Sequence, residues 1–190
     1  MYKQQRIILA SSSPRRRELL TDANVAFDIL VPGCDEIPLG EESAKQMVER
    51  LALLKAQTIA SDQREAVVIG ADTTVVIEGK ILGKPENKEE AVEMLSQIQG
   101  REHNVWGAFA VVSHLQSQVF SQSTRVTMMP MTKAQIDWYV ATKEPLDKAG
   151  SYAIQGIGLQ FVESIVGSYS NVVGLNIGAL MNVLRKLEVV

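Results

Sequence analysis

The sequence has only one cysteine, Cys34, among its 190 residues, so no disulfide can form within the chain. We interpret Cys34 as a small, partly buried residue and expect a reducing compartment, the cytoplasm. Only two histidines occur, His103 and His114, and their spacing does not match the ligand pattern of a zinc site. Disulfide frameworks and histidine–cysteine zinc centres are therefore excluded as the basis of the fold.

The sequence also lacks long apolar runs and any excess of basic residues. No apolar segment approaches the length of a membrane span, and the first one is too short for a secretory signal. There are 19 lysines and arginines against 22 acidic residues, and the net charge of −3 argues against binding to a nucleic-acid backbone. Neither a Walker loop nor a dinucleotide-binding glycine motif is present, so a kinase, GTPase or dehydrogenase has no support. We expect neither a membrane nor a nucleic-acid partner.

The pattern of apolar and turn residues predicts one α/β domain across residues 1–190, with two lobes around one sheet. The chain is 46% apolar and shows no linker or repeat. Helix-start signals at Ser43, Asn87 and Thr132 alternate with strand-like segments at 27–31, 105–113 and 118–127, of which the last two resemble a long antiparallel pair. We count four or five helices and six to eight strands. This mixture favours a curved mixed sheet with helices packed outside it.

The segment IILASSSPRRR at residues 7–17 predicts a short buried strand, a hydroxyl-rich turn and a basic helix start. Ser13 is a good N-cap, and Pro14 suits the first helical position. The free amides of such a helix start, beside hydroxyls and guanidiniums, suit a phosphate or polyphosphate. One or two of the arginines should face the sheet edge and the third should face water; the alternative is an ordinary capped helix with solvated arginines. The candidate phosphate ligands are Ser11, Ser12, Ser13, Arg15 and Arg16.

Two charged residues stand out against apolar surroundings. Asp72 follows the apolar strand at residues 67–71, where it is a metal ligand, a general base, or a turn-former that hydrogen-bonds its own backbone. Lys55 lies on the apolar stripe of a predicted helix, four residues from both Leu51 and Ile59. Its side chain either snorkels at the edge of the stripe or aims its ammonium into a polar cleft.

Three further polar residues are predicted to lie in turns. Lys84 follows a predicted hairpin within Gly-Lys-Pro, a stiff turn that can hold a positive charge near phosphate. Gln155 lies beside Gly156, where its amide either reads a base edge or binds water. Glu36 and Asp35 form an acidic pair, which either contributes to a site or simply lies in a solvated loop.

Five sequence blocks, in the same order, resemble the Maf family of nucleoside triphosphate pyrophosphatases. They are residues 10–16 (ASSSPRR), 70–73 (GADT), 83–85 (GKP), 144–150 (EPLDKAG) and 167–175 (GSYSNVVGL). The resemblance covers nearly the whole chain. It implies an elongated, two-lobed fold of the inosine triphosphate pyrophosphatase type around a central cleft. It also implies cleavage of a nucleotide between its α and β phosphates with a divalent metal, Mg²⁺ or Mn²⁺.

Residues 147–156 (DKAGSYAIQG) resemble the signature of the dTTP/UTP pyrophosphatase branch, whereas the 7-methyl-GTP branch typically has a glutamate at the position of Gln155. The resemblance implies that dTTP, UTP and modified pyrimidine triphosphates are the substrates, removed as house-cleaning of nucleotide pools. It further implies that Asp72 accepts a proton, while Arg15, Thr73 and Gln155 set the base preference.

By the same resemblance, Glu36, Lys55 and Lys84 match further polar positions of the family's cleft. We expect Asp72 and Glu36 to hold the metal, with the alternative that Glu36 only shapes the site. One departure is Asn176, which replaces the family's helix-starting proline with a residue that can cap the same helix.

A hypothesis of a different class is a non-catalytic nucleotide-binding regulator of cell division and septum formation. Such a regulator needs phosphate ligands but no poised carboxylate. The sequence leaves the oligomeric state open, with a homodimer as one form.

Overall fold

The computed structural model describes residues 5–37 and 39–189 of the chain. Seven β-strands and six α-helices lie within those ranges. The strands are β1 (Arg6–Ala10), β2 (Asp28–Ile29), β3 (Ala66–Ile77), β4 (Lys80–Leu82), β5 (Glu102–Val112), β6 (Ser117–Met128) and β7 (Val162–Val166). The helices are α1 (Pro14–Asp22), α2 (Ala44–Ala60), α3 (Lys88–Ile98), α4 (Lys133–Ala141), α5 (Tyr169–Val173) and α6 (Ile177–Lys186).

Short 3₁₀ turns occupy the segment between α4 and β7. They are Glu144–Asp147, Ala149–Ser151 and Gly156–Phe161. No helix in the described ranges is both long enough and apolar enough to cross a membrane.

The strands form one mixed sheet, which confirms the predicted α/β class. Their order is β2-β1-β3-β5-β6-β7, and β4 also pairs with β3. Strand β1 runs parallel to both of its neighbours, so Leu9 pairs with Ile29 on one side and Ile69 on the other. Strand β4 is antiparallel to β3, and β7 is antiparallel to β6. The sheet therefore combines strand–helix units with antiparallel pairs, as the sequence pattern indicates.

The chain divides into two compact units, each with its own core. The first unit consists of Met1–Asp72, Gly107–Gln122 and Gly174–Val190, and the second of Thr73–Trp106 and Ser123–Val173. Leu9, Ile69 and Leu180 are fully buried in the core of the first unit. In the second, Leu95 and Tyr139 are fully buried. The arrangement of two lobes around a cleft stays a prediction.

The predicted helix starts are confirmed by side-chain caps. In each case a short polar side chain accepts a hydrogen bond from a backbone amide of the first turn, which satisfies a donor that has no partner within the helix. The capping residues are Ser13, Ser43, Asn87, Thr132 and Asn176. Ser43 and Thr132 complete capping boxes with Gln46 and Gln135. Asn176 thus caps α6 without the proline typical of the family.

The structure differs from the sequence prediction at two short elements. Helix α5, which makes six helices rather than four or five, has only five residues and lies between Gly167 and Gly174, both with positive φ. A helix of five residues is too short for a helical periodicity of apolar residues to be recognised in the sequence. Strand β2 is also shorter than the predicted residues 27–31, because it lies at the sheet edge and pairs with β1 through two residues.

Candidate active site

The hydroxyl-rich turn between β1 and α1 is held by short-range hydrogen bonds. Ser11 Oγ accepts from the Ser13 amide at 3.1 Å and from Arg16 Nη1 at 3.3 Å. Ser13 Oγ accepts from the Arg16 amide at 3.5 Å. Both hydroxyl oxygens act as acceptors here, so each O–H group remains able to donate to an anion. Ser12 is exposed at the same turn.

Arg16 reaches from α1 to a distant part of the first unit. Its Nε donates to the Gly174 carbonyl at 2.8 Å. Burial lowers the pKa of the Arg16 guanidinium, whereas the negative charges of Asp72 and Glu36 raise it. Because the ordinary pKa of a guanidinium lies so far above neutrality, Arg16 remains a cation and supplies a fixed positive charge in the field of those carboxylates.

The other two arginines of this segment differ in exposure. Arg15 is half-buried, like Arg16, whereas Arg17 is exposed. This agrees with the prediction that one of the three side chains faces water. Arg15 and Arg16 are therefore the two that we retain as candidate phosphate ligands.

Lys55 lies between two carboxylates of the first unit. Its Nζ donates to Asp72 Oδ1 at 2.7 Å and to Glu36 Oε2 at 2.8 Å. The Lys55 and Asp72 side chains are only 7% and 10% exposed, whereas that of Glu36 is 53% exposed. Of the two orientations open to Lys55 from the sequence, the structure has the ammonium directed onto polar groups. Residues of the described ranges use two of its three hydrogens, which leaves one to donate to a ligand.

A glycine in β3 explains how α2 brings Lys55 to Asp72. Gly70 and Asp72 are two residues apart on a strand and therefore point to the same face of the sheet. A Cβ at Gly70 would collide with the Ala52 carbonyl oxygen and lie 2.7 Å from the Ala56 nitrogen. The missing side chain lets the helix backbone contact the strand directly, at the level that places Lys55 against Asp72.

Further hydrogen bonds hold the loop that carries Glu36 against α2. Arg50 donates to Glu42 Oε2 at 2.9 Å and to the Ile37 carbonyl at 3.2 Å, and the Leu39 amide donates to the Glu42 carboxylate at 2.9 Å. The hydrogen bond from Arg50, followed by that from Leu39, lowers the pKa of Glu42 to about 2. This pair has no recognisable signal in the sequence, since an arginine on a helix and a glutamate in a loop have no characteristic spacing.

Asp72 and Glu36 fit a divalent cation that shares its ligands with a substrate. Within the described residues no group of three or more His, Cys, Asp or Glu side chains is arranged to hold a metal. Mg²⁺ does not need such a cage, because it binds through one or two carboxylates together with water and substrate phosphates. Asp72 and Glu36 each accept the hydrogen bond from Lys55 with one carboxylate oxygen. The second oxygen of each carboxylate is the kind of ligand that such a cation binds.

Three other residues predicted to bind substrate belong to the second unit. Thr73 is half-buried in β3, and Lys84 is exposed directly after β4. The Gly150 amide donates to the Gly83 carbonyl at 3.0 Å, which brings the segment of Lys84 against the conspicuous 144–150 block. Gln155 is half-buried, and its side-chain amide makes no hydrogen bond to any residue in the described ranges.

The structure thus brings six of the predicted residues together in the first unit. They are Ser11, Ser13, Arg16, Glu36, Lys55 and Asp72.

A family model described as Maf-like protein matches residues 6–187. The chain belongs to the Maf family. The resemblance stated from the five sequence blocks is therefore confirmed.

Curated relatives of this family member span nearly its whole length. It is 45% identical over 185 residues to a protein named dTTP/UTP pyrophosphatase from Bacillus cereus (strain B4264), covering 97% of each chain. A protein of the same name from Bacillus anthracis is 46% identical with the same coverage. Among solved structures, the Staphylococcus aureus Ham1 protein is similar over 83% of this chain and 79% of its own, with 15% identity and a TM-score of 0.48.

Proposed function

We propose that this protein hydrolyses dTTP and UTP to the nucleoside monophosphate and pyrophosphate. Relatives named dTTP/UTP pyrophosphatase, at 45% and 46% identity over 97% of the chain, support the substrate class. The structural observation that carries the proposal is the Lys55 ammonium held between Asp72 and Glu36. Hydrolysis of a polyphosphate needs fixed positive charge and a carboxylate in one place, and this group of residues provides both.

The turn between β1 and α1 is the proposed phosphate-binding element. Helix α1 has nine residues, and its first amides point toward the turn with the positive end of the helix dipole. The hydroxyls of Ser11, Ser12 and Ser13 add donors, while Arg15 and Arg16 add charge. In the second unit, Lys84 is the proposed additional cation for the phosphates.

Asp72 is the proposed general base. A water oxygen bonds to the α-phosphorus, and the bond from that phosphorus to the bridging oxygen breaks, so pyrophosphate leaves. The proton of the water passes to the Asp72 carboxylate. Lys55 holds this carboxylate at 2.7 Å and keeps one hydrogen for a phosphate oxygen, so it orients the base and offsets negative charge together.

Glu36 and Asp72 are the proposed ligands of the divalent cation, Mg²⁺ or Mn²⁺. When bound, the metal supplies positive charge to the phosphates and lowers the pKa of coordinated water. The exposure of Glu36 suits a ligand that shares the ion with substrate and solvent.

Base choice is assigned to three residues with hydrogen-bonding capacity, of which Gln155 and Thr73 lie outside the phosphate-binding element. Gln155 can both donate to and accept from a pyrimidine edge, and its amide is unused within the described residues. Thr73 and Arg15 are the other two proposed contributors. Because nucleoside triphosphate pools are cytoplasmic, the proposed role is house-cleaning of those pools in the cytoplasm.

The proposal is tested by separating nucleotides after incubation with purified protein. The panel is dTTP, UTP, CTP, GTP and 7-methyl-GTP, each with Mg²⁺, with Mn²⁺ and with a chelator. We expect dTMP and UMP to form fastest, together with pyrophosphate, and only when metal is present. Binding of dTTP without turnover would instead favour the non-catalytic regulator. Preferential cleavage of 7-methyl-GTP would contradict the assigned branch.

A further inference from the structure

The Glu144 carboxylate, in the second unit, accepts three hydrogen bonds although it is not among the proposed catalytic or substrate-binding residues. Oε1 accepts from Tyr139 Oη at 2.8 Å and from the Gly158 amide at 2.8 Å. Oε2 accepts from the Ile157 amide at 2.9 Å. Two consecutive backbone amides thus converge on one carboxylate, which is an anion-binding arrangement occupied by a side chain of the protein itself.

The backbone around these amides is shaped to receive the carboxylate. Gly156 has φ +68°, and a Cβ at that position would lie 2.5 Å from Glu144 Oε2. A Cβ at Gly158 would collide with Tyr139 Oη and the Ala153 carbonyl oxygen. The loop and the carboxylate therefore fit only when residues 156 and 158 are glycines.

Tyr139 extends the same network to the start of the loop. Its Oη is fully buried with the rest of the side chain and also accepts from the Ala153 amide at 3.1 Å. The loop from Ala153 to Gly158 is thus fixed at both ends by one tyrosine–glutamate pair. Gln155 lies between these two fixed ends, with its side-chain amide unused within the described residues.

We infer that Glu144 is a positioning residue for base recognition: its carboxylate fixes the loop that carries Gln155. The inference rests on the proposed function, in which Gln155 contacts the pyrimidine. A loop with exposed residues such as Gly156 and Ile157 would sample several conformations without an anchor. Holding it in one conformation lets a single amide discriminate between bases, because the ordering is done before substrate binds.

The charge state of Glu144 is consistent with this role. Burial raises its pKa, but hydrogen bonds from Ile157, Gly158 and Tyr139 lower it, and the net shift is downward. An ionised carboxylate accepts at both oxygens, whereas a carboxamide offers one acceptor oxygen and an NH₂ that cannot accept from a backbone amide. Glu144→Gln therefore keeps the shape of the side chain and removes the anchor from one loop amide.

The test compares dTTP with deoxyribose 5-triphosphate, which has the same sugar and phosphates but no base. In Glu144→Gln we expect KM for dTTP to rise about tenfold with kcat little changed. Hydrolysis of the base-free triphosphate should stay within about twofold of the original protein. Tyr139→Phe, which keeps the carboxylate but removes one donor to it and also the acceptor of the Ala153 amide, should shift the same ratio in the same direction. Glu163→Gln, at an exposed position of β7, is the matched control and should change neither substrate.

The outcomes separate this inference from the proposed function. If the original protein does not hydrolyse dTTP, both are overturned. If it does, and Glu144→Gln leaves the ratio of dTTP to base-free turnover unchanged, only the positioning role is overturned. Equal losses on both substrates would also overturn it, since they would show a general structural effect. Faster hydrogen exchange at the Ile157 and Gly158 amides in Glu144→Gln is expected alongside the altered ratio.

Discussion

Lys55 and Asp72 form a buried ion pair in which Nζ lies 2.7 Å from Oδ1. Neither charge would be stable alone in this position, because an unpaired buried charge costs several kcal/mol. The two residues are not equivalent, however. Lys55 keeps Glu36 as a second partner if Asp72 is neutralised, whereas loss of Lys55 leaves two carboxylates without their shared cation. This asymmetry determines what substitution of each residue should do.

Asp72→Asn should preserve the fold and nucleotide binding but remove most turnover. The amide is nearly isosteric with the carboxylate, and Lys55 remains paired with Glu36. Because an amide cannot accept the proton of the attacking water, we expect kcat to fall by about 10²- to 10⁴-fold. Steady-state kinetics and a dTTP binding measurement on the same preparation provide the check. A variant that keeps near-original kcat would show that Asp72 is not the base.

Lys55→Met should weaken both substrate handling and the fold. Methionine keeps the apolar stem in the helix stripe, but Asp72 and Glu36 lose the ammonium between them. We expect a stability loss of about 3–5 kcal/mol, typical of breaking a buried ion pair, together with a fall in kcat/KM of about a hundredfold or more.

Thermal unfolding and kinetics of Lys55→Met are compared with those of Lys45→Met. Lys45 lies on the same helix with a side chain that is 55% exposed, so its substitution should change little. A large stability loss with unchanged kinetics in Lys55→Met would assign Lys55 to structure alone.

The parts of the fold that depend on local signals were predictable from the sequence. Ser13, Ser43 and Asn176 cap helices where their neighbours predict them, because capping involves residues only two or three positions apart. Lys55 was recognisable as an anomaly, since a charge on an apolar stripe contradicts the helical period. Its contacts with Asp72 and Glu36 could not be predicted from that anomaly, because the periodicity of a helix does not show which loop or strand packs against each of its faces.

The contacts that could not be predicted join residues far apart in the chain. Arg16 donates to the carbonyl of Gly174, 158 residues later, and a backbone carbonyl carries no residue-type signal. Glu144 belongs to a block that resembles the family, yet its contact with Ile157 and Gly158 depends on a left-handed residue at position 156. Such a contact follows from the three-dimensional turn, and composition or spacing does not reveal it.

Gly70→Ala should destabilise the first unit and disturb the Lys55–Asp72 pair. The new Cβ would meet the backbone of α2 at Ala52 and Ala56, which cannot yield as a flexible side chain would. We expect a loss of about 1–3 kcal/mol, typical of overpacking, and a fall in kcat as Lys55 moves from Asp72. Gly33→Ala is the control, since nothing in the described ranges lies within 4 Å of a Cβ there. Equal stability of the two variants would contradict the close helix–strand contact.

Stability should depend on pH through His103, which is 1% exposed in the second unit. Burial lowers the pKa of His103 to about 4, from an ordinary value of 6.5. Below pH 6.5 the unfolded chain therefore binds a proton that the folded protein does not bind until about pH 4. The free energy of unfolding should fall as pH decreases through this window, by about 3 kcal/mol in total.

The check is to measure the free energy of unfolding by denaturant at several pH values between about 7 and 4, a range that spans this window, and to determine its slope against pH. His103 Nε2 and Tyr152 Oη share a hydrogen bond of 2.7 Å, so both partners are replaced together by phenylalanine. Removing the pair leaves no buried polar group without its partner, which keeps the change near neutral at pH 7. If the double variant retains the original slope in this range, other groups cause the dependence.

Gln155→Glu should lower activity toward dTTP and UTP and admit 7-methyl-GTP weakly. The amide can both donate to and accept from the carbonyl and imide edge of a pyrimidine, whereas an ionised carboxylate only accepts and would face carbonyl lone pairs. Loss of a paired hydrogen bond commonly costs on the order of 1–3 kcal/mol, which is roughly ten- to a hundredfold in kcat/KM. The substitution keeps the loop backbone and the Glu144 anchor intact, so stability and base-free triphosphate turnover should not change. An unchanged ratio of dTTP to 7-methyl-GTP turnover would show that Gln155 does not read the base.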